Sequence, residues 1–336
     1  MSEQNTSFQT VLDSLLAPGK DFPRRYLQQF SDMGTLELQT FQEVWPRVNL
    51  NRKLSLIEGL ISLADKDTLV NFDDFARSIL DDPDANVRIH ALRLLDECDD
   101  MKLVPTYLDM LKNDPDANVR AEAANALNLF VDLGELDEID EEVYEEIQAA
   151  LLESAKSADE TRIRRRALES LGWSSNPEVV ALIESSFEQE NMDWKVSAMI
   201  AMGRSADDRW EDRVLRSMLD DNDKLRKAAV QSAGMLAFKS ARLPLLRMLE
   251  EEDDDAVMSA AIWSLSQVGG EDVKIVLETL LDQSEDDELI GFLEEALDNL
   301  AFTEDLDRFE LLAIDPDDLE DLETVDELDA LDEDDE

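Results

Sequence analysis

The chain holds one histidine, His90, and one cysteine, Cys98, among 336 residues. A general base needs a partner that sets its proton affinity, and a structural or catalytic metal needs several nitrogen or sulfur ligands at matched spacing. His90 has no second histidine or nearby cysteine to make either. Cys98 stands between Asp96, Glu97, Asp99 and Asp100, and negative neighbours disfavour a thiolate. The glycine pair in "VGGED" (Val268–Asp272) lacks the spacing of a phosphate loop and reads as a turn between helices. The acidic run "EEEDDDA" (Glu250–Ala256) lacks the alternation that holds calcium. One dense basic cluster remains, "RIRRR" (Arg162–Arg166). Its arginines Arg162, Arg165 and Arg166 could hold an anion. Pairing with the acidic stretch just before them, or simple solvation, is the plainer expectation on so negative a chain. No catalytic residue, metal site or cofactor is expected, and the protein reads as a non-enzyme.

The positions of these residues depend on a repeat. The phrase "DPDANVR" occurs at Asp82–Arg88 and again at Asp114–Arg120. With Val87 as anchor, the equivalents are Arg52, Val87, Val119, Ile163, Trp194, Leu225, Val257 and Leu289, spaced by 35, 32, 44, 31, 31, 32 and 32 residues. A fixed period of this length marks stacked helical repeats. Four residues on stand Ala91, Ala123, Ala167, Ala198, Ala229 and Ala261, with leucines at both ends of the series; eight residues on the series is again apolar. An apolar stripe at i, i+4 and i+8 is one face of a helix, and alanine in its middle lets helices approach closely. Three residues before the anchors stand Asn49, Asp84, Asp116, Glu160, Asn191, Asn222, Asp254 and Asp286. Seven of these eight are Asp or Asn, the types whose side chains accept N–H groups of a first helical turn; at Glu160 the neighbouring Asp159 is expected to substitute. A second amphipathic helix precedes each anchor, with Pro105, Pro177 and Pro244 near helix starts. No segment shows the alternation of a strand.

The Asp-x-x-Val-Arg-x-x-Ala-x-x-x-Leu phrase, best in "DANVRIHALRLL" and "DANVRAEAANAL", resembles HEAT repeats, in particular the short bacterial type also found in phycobilin lyase subunits. The resemblance covers residues 47–302. It implies a right-handed α-solenoid of about eight helix pairs, with the second helices on the concave side. It also implies a ladder in which the basic residue after each anchor (Arg88, Arg120, Arg164, Lys195, Arg226) bonds the capping residue of its own or the next repeat, such as Asp84 or Asp116. Met258 and Ile290 interrupt that ladder.

Three segments depart from the period. Residues 1–46 carry helical patterns without the phrase and are expected to form an N-terminal cap. Residues 131–142 are an acidic insertion. Residues 303–336 have 18 acidic residues and one arginine and are expected to be an acidic, disordered tail. The total charge is −51, so removing that tail still leaves a strongly acidic protein. Such a surface repels nucleic acid and anionic membrane and attracts cationic protein. The most apolar window, Leu54–Ala64, is too short to span a bilayer, the first residues lack a signal-peptide pattern, and a lone cysteine forms no internal disulfide. A cytoplasmic monomer is expected. Trp263, six residues past its anchor, stands where most repeats carry polar residues; with Ile200 it is expected to give an apolar contact patch on the concave side. Trp194, Met199, Met202, Met218, Met235 and Met248 are expected in the core. The expected function is a non-catalytic scaffold whose acidic concave face recruits a basic protein or segment. A chromophore-lyase-like subunit, an acidic nucleic-acid mimic and a salt-adapted scaffold are the alternatives.

Overall fold

A computed structural model describes residues 7–19 and 21–313, and these form helices and connections without a strand. Chain contacts divide it into two units, one up to Ala201 and one from Met202. The first holds α1 (Phe8–Leu16), α2 (Thr35–Val44), α3 (Leu50–Ala64), α4 (Asp73–Arg77), α5 (Ala85–Leu94), α6 (Val104–Asn113), α7 (Ala117–Ala126), α8 (Asn128–Glu135), α9 (Glu141–Lys156), α10 (Thr161–Ser170) and α11 (Pro177–Phe187). The division falls inside α12 (Met192–Arg204). The second unit continues with α13 (Glu211–Ser217), α14 (Asp223–Met235), α15 (Arg242–Glu251), α16 (Asp255–Val268), α17 (Glu271–Gln283) and α18 (Asp287–Ala313). The anchored helices α5, α7, α10, α14, α16 and α18 each pack against the helix before them, and anchored helices stack on one another in the series α3, α5, α7, α10 and again α14, α16, α18. This serial stacking is an α-solenoid.

The starts of the anchored helices follow from their caps. Asn49, Asp84, Asp116, Asn191, Asn222, Asp254 and Asp286 each accept a backbone N–H two or three residues on. Glu160 makes no such bond. Asp159 does not cap in its place: its carboxylate takes the adjacent Glu160 N–H and the guanidinium of Arg120. The alanines four past the anchor, Ala91 to Ala261, are completely buried. Six of the eight anchors are buried too; Arg52 is half-buried, Leu289 in the last repeat is exposed, and Leu293, Ala296 and Leu300 bury that helix. Trp194 and four of the five methionines are core, whereas Met235 is exposed at the end of α14.

Close stacking depends on small residues that the i, i+4, i+8 stripe does not include. Gly172, Gly203 and Gly234 stand nine past three successive anchors, 31 residues apart. A Cβ on Gly172 would lie 2.7 Å from the Ala201 backbone, and one on Gly203 would lie 2.9 Å from Ser232 Cα. Seven past the anchor, the buried hydroxyls of Ser170 and Ser264 donate to the carbonyls of Ala124 and Val230 in the preceding anchored helix (2.8 and 2.9 Å). Each bond satisfies a polar group in an otherwise apolar contact.

At the N-terminus, Phe30 and Phe41 are fully buried against each other and against Phe75 of α4, with ring centroids 5.1–6.0 Å apart. Edge-to-face packing in two of these pairs and a tilted contact in the third cover the apolar end of a stack. The segment 131–142 is the end of one added helix, a five-residue connection and the start of α9. α8 restarts at Asn128, one residue after α7, and ends in a Schellman turn: Asp137 has φ 58°, Glu138 N–H donates to Leu133 O and Asp137 N–H to Gly134 O. Gly134 lies under the ring of Tyr144, where a Cβ has no room. At the other end, α18 runs to Ala313, eleven residues past the boundary expected at Phe302, because no glycine or proline interrupts the chain between Gly291 and Pro316. The acidic segment from Ile314 lies outside the described residues.

Candidate functional site

The doubled heptapeptide is an inter-repeat clasp, in which the two aspartates, the valine and the arginine have separate tasks. The Arg88 guanidinium grips Asp114 of the next copy with two bonds (2.9 and 2.8 Å) and donates to the carbonyl of Asp82 in its own copy (2.8 Å). Arg120 repeats the pattern with Asp159 (3.0 and 2.9 Å) and Asp114 O (2.8 Å). Arg226 repeats it with Glu252 (2.9 and 2.8 Å) and Asp220 O (3.0 Å). The partner is thus the acidic residue ahead of the turn, not the capping residue of the expected ladder. The caps Asp84 and Asp116 point an oxygen at first-turn N–H groups, while Asp82 and Asp114 are free to face the preceding repeat. The ladder also begins one repeat earlier than expected: Lys53 follows the first anchor and pairs with buried Asp82, which accepts Trp45 Nε1–H as well. Arg164 leaves the ladder; it donates to Ala155 O (3.2 Å) and lies over the Trp194 ring. Lys195 is half-buried on α12. These bonds set the acid–base state of the clasp. The Arg120 guanidinium holds the Asp159 carboxyl below the usual carboxylate range, and Arg226 does the same to Glu252.

Four of the five residues expected to bind a partner meet in one groove of the first unit. Its cavity of about 490 Å3 is lined by α5, α7, α10 and α12, at the positions one before and two, three and six after each anchor. Arg162, Arg165, Arg166 and Ile200 are all in it, with Ile89, Ala121 and Val196 as apolar floor. Trp263 belongs to the second unit, where it is 38% exposed and stacks on Phe292 at 6.3 Å.

The groove's arginines are already matched. Arg166 donates to the buried Glu169 (2.5 Å), which also accepts the Ser197 hydroxyl. Arg93 makes a two-pronged pair with Glu122 (3.2 Å each), Arg162 bonds Glu160 and Asn118, and Arg165 donates to Asp193 O (3.1 Å). None of these partners lies in residues 131–142, the stretch expected to neutralise the cluster. Over all eight repeats the same four register positions carry six basic residues (Arg93, Arg162, Arg165, Arg166, Lys224, Lys227) and six acidic ones (Glu58, Glu122, Glu169, Asp193, Glu288, Glu295). The face expected to be acidic is therefore balanced, and the excess negative charge lies elsewhere.

His90 lines the groove, and its Nδ1 is 2.7 Å from Asn86 O, a bond within its own helix turn. Cys98 is buried, and burial pushes its thiol up; Arg77 donates to its sulfur at 3.2 Å. The main cause is desolvation rather than the flanking carboxylates. No group of three or more metal-ligating side chains occurs among the described residues, and no helix there is long and apolar enough to cross a membrane.

Residues 74–141 and 212–298 match the family described as HEAT repeats. These segments are HEAT repeats. They contain both copies of the clasp phrase's arginine and the Arg226–Glu252 pair. No curated protein matches the chain in sequence. Among solved structures, similarity extends to the complex of CpcE and CpcF of phycocyanin lyase from Nostoc sp. PCC7120, at 14% identity over 89% of this chain and 99% of that one, with a TM-score of 0.49. Human deoxyhypusine hydroxylase is similar at 14% identity over 88% and 96% of the two chains, TM-score 0.35. A chain of the Kap95:Nup1 complex is similar at 13% over 88% and 37%, TM-score 0.35.

Proposed function

We propose that this HEAT-repeat protein is a non-catalytic scaffold that recruits a basic protein or basic segment. The observation that carries the proposal is where the unspent charge lies. The clasp and the inner groove each use their carboxylates against arginine or lysine. On the helices that precede the anchored ones, Glu178, Asp212 and Asp272 pair with Lys156, Arg216 and Arg242, but α9 presents Glu141, Glu142, Glu145, Glu146 and Glu153, all exposed and none in an ion pair among the described residues. A surface with a net charge near −51 draws cationic partners from a distance and repels anionic ones. The basic partner thus meets the outer helices rather than the balanced groove, and the acidity acts on its arrival more than on its departure.

The test is capture of partners from native lysate on the immobilised protein at about 50 mM and about 300 mM salt, across which screening shortens the range of charge attraction. Recovery of basic proteins that elute as salt rises supports the proposal. A recovered set with no bias towards basic proteins, or one indifferent to salt, refutes it.

A further inference from the structure

A cleft of about 610 Å3 lies between α6 and the connection from α8 to α9. Its floor is apolar: Val104, Pro105 and Leu108 from α6 face Ile139 and Val143 across it. Four carboxylates, Asp137, Glu138, Asp140 and Glu146, stand around it, and all four residues are exposed. No lysine or arginine lines the cleft. This is the reverse of the inner groove, where every arginine has found an acceptor.

The walls are held in place. Glu135, at the end of α8, accepts the Tyr144 hydroxyl (2.6 Å) and the Ser175 N–H (3.0 Å), which ties the turn to α9 and to the next repeat. Gly134 fits beneath the Tyr144 ring, and the Schellman turn fixes the direction in which residues 137–140 leave the helix. A site preformed in this way loses little entropy when filled. Its size lies within the range of ordinary binding clefts. The cleft also sits where the repeat period lengthens from 32 to 44 residues, so the added chain has built one wall of it.

We propose that this cleft is the docking site for a short cationic segment: one or two apolar side chains enter the floor, and flanking lysines or arginines meet the four carboxylates. This rests on the scaffold function proposed above and gives it a location. The choice of occupant comes from charge. An anionic segment would face four uncompensated carboxylates, and a second copy of this chain would bring its own excess of negative charge.

The test uses the full chain and three fluorescein-labelled peptides. One has a Leu-Phe pair flanked on each side by two lysines; in the second the lysines become glutamates; in the third the Leu-Phe pair becomes Ser-Ser. Anisotropy at about 150 mM salt gives affinity, and hydrogen exchange read by mass spectrometry gives the site. The lysine peptide is expected to bind one to one and to protect residues 104–113 and 136–146. The other two peptides are expected to bind at least tenfold more weakly. Glu138→Lys/Glu146→Lys and Ile139→Ser are each expected to weaken the lysine peptide about tenfold. Neither glutamate side chain makes a bond within the described residues, and the Glu138 N–H that closes the turn is kept in the lysine variant, so the charge variant leaves the fold intact. If the lysine peptide binds but both variants bind as wild type, or protection appears only elsewhere, the cleft proposal is overturned while the scaffold stands. If the lysine peptide binds no better than the glutamate peptide, the scaffold proposal falls as well.

Discussion

Replacing Arg88 by methionine tests whether the doubled phrase clasps adjacent repeats. The Arg88 and Asp114 side chains are 11% and 7% exposed, and the guanidinium makes three bonds of 2.8–2.9 Å. Methionine keeps much of the stem volume and suits a helix, so the change removes mainly the charge and its bonds. Breaking a buried pair from one side costs about 3–5 kcal/mol, because the other charge stays buried. Asp114 retains one N–H, from Asp116 at 2.9 Å, so the lower end, about 3 kcal/mol, is expected. Asp114→Asn loses a charge-assisted bond pair, about 2 kcal/mol. In the double variant neither buried charge is left unmatched. The two costs should then fall short of additivity by about 2 kcal/mol. The control is Arg216→Met, whose pair with Asp212 is 78% and 88% exposed and is worth less than about 0.5 kcal/mol. Urea unfolding followed at 222 nm for all four variants gives the cycle. If Arg88→Met is no more destabilising than Arg216→Met, or if the cycle is additive, the clasp does not hold the repeats together.

Other outcomes follow from single contacts. Gly172→Ala sets a methyl 2.7 Å from the Ala201 backbone and is expected to cost about 1–3 kcal/mol or more; Gly291→Ala, with nothing within 4 Å, is expected to stabilise α18 by up to about 1 kcal/mol. Thermal unfolding separates the two signs. The Tyr107 hydroxyl is buried without a hydrogen-bond partner among the described residues, so Tyr107→Phe is expected to leave the melting temperature unchanged or raise it. The Glu252 carboxyl is held below its ordinary value by Arg226. Its contribution is therefore complete above the unfolded-state value near 4.3 and is lost as pH falls through the lower folded value. Glu252→Gln is expected to lose less stability than wild type between about pH 5 and pH 3, measured by urea midpoints.

The helix starts were legible because they depend on neighbours two or three residues away. An Asp ahead of an apolar anchor states its own function, and the alanine four residues on states that helices meet there. The clasp was harder, because two aspartates compete for one arginine in "DPDANVR". Only geometry shows that Asp84 faces its own first turn while Asp82 faces Lys53. Lys53 itself could have been found, since it stands one past the first anchor as Arg88 does past the second. The glycines at 172, 203 and 234 also keep the period, but an apolar stripe does not weight them. The matched charges of the groove arise partly within one helix end, as in Arg162–Glu160 and Arg166–Glu169, and partly between repeats 29 residues apart, as in Arg93–Glu122, which a linear acidic count cannot resolve. The cleft was the least legible feature. Its floor comes from α6 and its rim from residues some 30 positions later, and an acidic insertion gives no sign in sequence of the Schellman turn that sets its direction.

The central claim, that unspent surface charge brings a basic partner to this scaffold, is tested most directly by stopped-flow association. The labelled lysine peptide is mixed with the full chain at salt from about 20 to about 300 mM, a range over which screening shortens from roughly 20 Å to roughly 6 Å. The association rate is expected to fall at least tenfold, while the dissociation rate, set by the apolar anchor, changes less than about twofold. An association rate indifferent to salt would contradict the account, because the excess carboxylates would then take no part in bringing a partner to the protein.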